Sequence, residues 1–122
     1  NLIRMDVEGH EVEILGQLVE LVKEDVMSPR VIFETHLSRY KESNDFVPVL
    51  QGLFDLGYKV RMAASSSKAG TARLKALGYP GGTPFYSDFG ERAIFRDLSN
   101  DHAIDLICNT GGLRTVLLEK TG

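Results

Sequence analysis

The chain reads as an α/β domain with a mainly parallel sheet, and three observations lead there. Apolar runs of strand length alternate with stretches whose apolar residues recur at three- and four-residue steps. The run at 31–33 is apolar without a break, as in a central parallel strand covered on both faces. The third is where the acids fall: Asp6, Glu8 and Glu34 stand where apolar runs give way, the ligand side of such a sheet.

Each element can be justified in order. "LIRMDV" (2–7) is a short strand that ends at Gly9. From His10 the period changes, and Val12, Leu15, Leu18, Val19, Val22 and Val26 form the apolar stripe of a helix. Glu11 and Glu13 lie in its first turn, where negative charge suits the helix dipole. Ser28-Pro29 ends the helical pattern, since a residue before proline avoids the helical region. "RVIFETH" (30–36) is the second strand. Ser43, Asn44 and Asp45 offer N-caps to a second helix carrying Phe46, Val47, Leu50, Leu53 and Phe54, with Pro48 in its first turn and Gly57 beyond its end. "YKVRMA" (58–63) alternates, with Tyr58, Val60 and Met62 assigned to one face. A variable insert follows over 64–91, with loop-like "ASSSKAG", a short helix "TARLKALG" and turn-rich "YPGGTPFYSDFGE". Ser99 caps a helix over 100–110, Gly111-Gly112 ends it, and "RTVLLEK" (114–120) is the last strand.

The 122 residues give one domain. The net charge of −3 argues against nucleic acid or an anionic membrane as partner. No apolar run approaches membrane-spanning length. A single cysteine, Cys108, cannot form an internal disulfide, which fits a reducing, cytoplasmic setting. The chain enters an apolar run at Leu2 with no initiator Met, from which we expect a piece of something longer.

Residues two apart on a strand share a face, so Asp6 and Glu8 are expected to project together, and Glu34 with His36. Neighbouring strands would gather three carboxylates and an imidazole. Such a group can accept a proton from a hydroxyl, orient a polar ligand or bind a divalent cation through oxygen. Gly9 lets the backbone turn sharply into the helix. The blander reading stands beside this one: acids before a helix are favoured by its dipole whatever the function, and Glu8 serves equally as a cap. His10 reads as a helix-start residue and His102 as a solvated one. Tyr40, Tyr58, Tyr79 and Tyr86 read as packing residues with wet hydroxyls, and Cys108 as core. No dinucleotide, phosphate-loop, nucleophile-elbow or paired-ligand metal motif is present.

"LIRMDVEGHEVEILGQL" closely resembles the signature of FkbM-type S-adenosylmethionine-dependent methyltransferases, an apolar run holding Lys-x-Asp-x-Glu-Gly-x-Glu and then a leucine-bearing helix. Asp6, Glu8, Gly9, Glu11 and Leu15 occupy matching positions, with Arg4 where lysine is frequent. "RVIFETH" resembles the next strand, ending in Glu-x-His, and "LQGLFDLGYKV" the following helix and strand. The resemblance covers residues 2 to about 62, fails over 63–91 and returns at the last strand. It implies the C-terminal half of a Rossmann-like methyltransferase fold, three-layered α/β/α, with an antiparallel last strand. It further implies that the loops gripping the cofactor lie upstream of Asn1, and that the parent enzyme methylates a hydroxyl of a sugar or natural-product-like small molecule. Asp6, Glu34 and His36 are then the expected catalytic residues, and Asp6, Glu8 and Gly9 those facing S-adenosylmethionine. No protein metal ligands are assigned, although a divalent metal is compatible with the carboxylates. A homo-oligomer through the exposed first strand is expected. Two other classes compete: a non-enzymatic assembly domain of the same fold, and a metal-dependent hydrolase using Asp6, Glu8 and Glu34.

Overall fold

The computed structural model describes residues 1–88 and 90–121. Phe89, inside the expected insert, lies outside the described residues. The strands are β1 (Leu2–Met5), β2 (Arg30–Glu34), β3 (Tyr58–Ser65), β4 (Phe85–Ser87), β5 (Gly90–Arg92), β6 (Ile94–Leu98) and β7 (Leu113–Lys120). The helices are α1 (Glu11–Lys23), α2 (Val47–Asp55), α3 (Lys68–Ala76) and α4 (Asn100–Ile104).

Five strands form one sheet in the order β1-β2-β7-β3-β6, and β4 and β5 form a separate hairpin. β1 pairs in parallel with β2, whereas β2–β7, β7–β3 and β3–β6 are antiparallel. The sheet is therefore mixed rather than mainly parallel. The expected antiparallel last strand is there, but as the central strand between β2 and β3. Being buried in the middle of the sheet, β7 places Val116 and Leu118 beneath the helices at zero exposure.

One core holds the fold together. Leu15, Leu18 and Val22 of α1 and Leu50 and Leu53 of α2 pack with Val31, Phe33, Val60 and Phe95 of the sheet. Each buried side chain of this size contributes about 1.5–3 kcal/mol relative to exposure. The alternate strand residues, Arg4, Ile32, Met62, Ala64, Thr115 and Leu117, are only half-buried or exposed. Ile32, Met62, Ala64, Ile94 and Leu117 line a shallow hollow of about 240 Å³ on that second face. Among the described residues the sheet is buried on one face, so the layers number two, not three.

The element boundaries shift for local reasons. β3 changes register between Val60 and Met62, so Met62 turns to the open face and does not continue the Tyr58–Val60 row. α2 starts at Val47, because Asn44 reaches instead to the carbonyls of Gly9 and Arg39, at 3.0 Å each. The expected 64–91 insert is more ordered than its composition suggests. It holds α3, capped by the Ser67 hydroxyl, and the β4–β5 hairpin. β6 escaped the sequence reading. Ser99 caps α4 as expected, through the His102 amide, but the helix then widens into a π turn over Asp105–Asn109.

Candidate functional site

β1 and β2 run side by side, and their carboxyl ends deliver the chain into two turns. After Met5, Asp6 leaves the strand, Glu8 adopts φ +48° and Gly9 φ +101°. Two successive left-handed residues reverse the chain into α1, and only glycine takes the second without strain. The turn is tied from within: the Gly9 N–H donates to Glu11 Oε1 at 2.9 Å. A Cβ at Gly9 would stand 2.7 Å from the Arg39 Cβ.

After β2, Thr35 donates its hydroxyl to the Leu113 carbonyl, and His36 begins a 3-10 turn over Leu37–Arg39. This turn brings Tyr40 back over the start of α1. Its hydroxyl donates to Glu11 Oε2 at 2.5 Å and accepts the His36 backbone N–H at 2.9 Å. The same Glu11 Oε2 lies 3.1 Å from His36 Nδ1. On the ring's other side, His36 Nε2 is 3.2 Å from Asp6 Oδ1. Glu11 is fully buried and Asp6 is exposed.

The four residues expected to converge divide into three places. Asp6 and His36 meet. Glu34 does not share their cluster: it turns to the open face, accepts from the Thr115 hydroxyl at 2.9 Å and pairs with Arg114 Nε at 3.1 Å. Glu8 is exposed in the turn, 3.9 Å from Arg39. The two-residue rule fails for both pairs because β1 ends at Met5 and β2 at Glu34, so strand alternation no longer governs Glu8 or His36. Asp6 and Glu34 nonetheless line one hollow of about 360 Å³, with Arg4, Met5 and Ile32.

Glu11 and Tyr40 were not among the expected site residues. Glu11 looked like a first-turn charge serving the dipole, and Tyr40 like a packing residue with a wet hydroxyl. That hydroxyl is in fact buried against a carboxylate. Burial foremost, and then the hydrogen bond to Glu11, push its pKa well above the ordinary tyrosine range. Tyr58 and Tyr79 likewise have bonded hydroxyls, to the Pro29 carbonyl and to His102 Nδ1. Cys108 packs at the core margin as expected, its thiol raised to about 12 by burial and by the Asp45 carboxylate.

The strand-end hollow offers carboxylates, an arginine and apolar side chains. Among the described residues no three His, Cys, Asp or Glu side chains are arranged to hold a metal ion. No described helix is long and apolar enough to cross a membrane.

Comparisons with curated proteins and with solved structures find no match. Residues 1–60 match the family model of the methyltransferase FkbM domain. That segment carries β1, α1, β2, α2, the start of β3 and every member of the Asp6–His36–Glu11–Tyr40 network. Over residues 1–60 the chain is thus similar to the methyltransferase FkbM domain.

Proposed function

We propose that the chain supplies the acceptor side of an S-adenosylmethionine-dependent O-methyl transfer, with a sugar or natural-product-like hydroxyl as acceptor. One observation carries the reading: His36 stands at the carboxyl ends of two adjacent parallel strands, with Nε2 beside Asp6 and Nδ1 against buried Glu11. An imidazole so placed takes the hydroxyl proton at Nε2 as the oxygen becomes a nucleophile. The Asp6 carboxylate, 3.2 Å away, offsets the positive charge the ring then gains. The donor supplies a methyl group on a positively charged sulfur. Asp6 is the first choice for facing both donor and acceptor, since it also lines the strand-end hollow with Glu34. Glu34 is held by Thr115 and Arg114, which suits it to orient an acceptor hydroxyl rather than to move its proton. Glu8 and Gly9 shape the turn at the rim, and Gly9 contributes backbone only.

The test is transfer of a labelled methyl group to polyhydroxylated acceptors by the gene's full-length product. His36→Gln should lower kcat by about 10²–10⁴-fold, the usual contribution of a positioned base, with little change in donor binding. Undiminished turnover in a folded His36→Gln protein would remove His36 from the mechanism.

A further inference from the structure

The proposed function asks His36 to act at Nε2, yet carboxylates face both ring nitrogens: Glu11 at Nδ1, 3.1 Å, and Asp6 at Nε2, 3.2 Å. A neutral imidazole carries one proton, so one of the two must win. We infer that Glu11 is the positioning residue of His36: its buried carboxylate holds the ring proton on Nδ1 and leaves Nε2, on the Asp6 side, as the base. This deepens the reading of His36 as proton acceptor and rests on it.

The hydrogen bonds around Glu11 decide the direction. Oε1 accepts the Gly9 N–H at 2.9 Å, which fixes one oxygen. Tyr40 accepts the His36 backbone N–H on its hydroxyl oxygen, so its own proton is directed to Glu11 Oε2. Burial raises the Tyr40 pKa and keeps it a donor. Oε2 therefore acts as an acceptor, and a bare Nδ1 3.1 Å away would set two lone pairs against each other in a buried site. A proton on Nδ1 removes that conflict. Asp6 is the weaker competitor: it is exposed and hydrated, and water can replace its contact with the ring. Glu11, with no solvent contact and two other donors, cannot turn away. His36 is thereby gripped twice, at its backbone through Tyr40 and at its ring through Glu11. Among the described residues, Cys108 also acts on Tyr40 from the π turn and stays a thiol, its own pKa raised by burial and by Asp45, while Arg39 pairs with Glu8 at the exposed rim.

Long-range ¹H–¹⁵N NMR of the imidazoles reads the tautomer directly, with His36→Gln assigning the resonance. In the 122-residue chain above the pH of imidazole titration, the Nδ1–H form should be in about tenfold excess, the ratio a charge-assisted hydrogen bond sustains. Asp6→Asn should leave that excess in place. Glu11→Gln should invert it. The Gly9 N–H keeps the amide oxygen on its side, so the amide NH₂ faces Nδ1 and drives the proton to Nε2. A purely structural Glu11 would lower the stability of Glu11→Gln without moving the tautomer. The inference is overturned by an Nε2–H majority in the unsubstituted chain, or by a folded Glu11→Gln protein that keeps Nδ1–H. If Glu11→Gln fails to fold, the unsubstituted and Asp6→Asn spectra decide alone. No methyl donor enters this measurement, so a failure of methyl transfer would sink the proposed function and leave the tautomer result standing.

Discussion

Tyr40 shows how much one side chain can carry, because its hydroxyl joins the His36 backbone to a carboxylate with no access to water. Tyr40→Phe leaves Glu11 short of a donor and should cost about 1–2 kcal/mol, measured by urea unfolding. The sign of its pH effect follows from the raised pKa. Below the ordinary value of 10.0 the neutral phenol is present in folded and unfolded chains alike, and its contribution is intact. Above that value the unfolded chain loses the proton first, so stability should fall as pH rises past about 10. Tyr40→Phe should show a shallower alkaline decline than the unsubstituted chain, and an identical slope would contradict the buried hydroxyl. Gly9 makes a second demand. Gly9→Ala combines φ +101° with a Cβ 2.7 Å from Arg39, and should cost about 1–3 kcal/mol in the same experiment. Asp6, Gly9 and His36 were legible in the sequence because strand ends and a glycine turn mark them. Glu11 and Tyr40 were not, since their burial depends on residues 37–46 folding back over α1.

Elements were legible in proportion to their periodicity. α1 announced itself through its apolar stripe, buried from Val12 to Val22 as the spacing placed it, although Val26, expected in the same stripe, lies beyond the helix end and is exposed. β2 did so through Val31, Ile32 and Phe33, although Ile32 turned out to face the open side. β6 was missed for a physical reason: five residues with three of them exposed, and Asp97 in a left-handed conformation, break any clean alternation. The two edges of the sheet also differ. β6 carries that distorted Asp97 next to its last residue, paired with Arg61 at 2.9 Å, a feature that discourages further pairing. β1 has regular backbone and, among the described residues, pairs with β2 alone. Self-association through β1 should therefore appear as a concentration-dependent rise in sedimentation coefficient. Leu2→Lys, at an exposed position, should suppress it without altering the helical signal in circular dichroism. A sedimentation coefficient independent of concentration would leave the β1 edge without a partner.

At the scale of the molecule, order came through well and layering did not. Alternating strands and helices fixed the class, but no local pattern announced that β7 would enter between β2 and β3 or that one face of the sheet would stay uncovered. With the strand-end hollow open to solvent, isothermal calorimetry of this chain with S-adenosylmethionine should give no saturable heat in the micromolar range. Micromolar binding would place the donor site within these residues and overturn the division between acceptor and donor sides. The central position of β7 also has a consequence in time. β1 and β2 can pair as soon as Arg30–Glu34 has been made, and β3 and β6 once Ile94–Leu98 has. No strand joins these two pairs until Leu113–Lys120 emerges from the ribosome, so each waits with an unpaired inner edge. A pause that holds the nascent chain after Leu98 has emerged and before Leu113 does is accordingly where this topology is most exposed to aggregation.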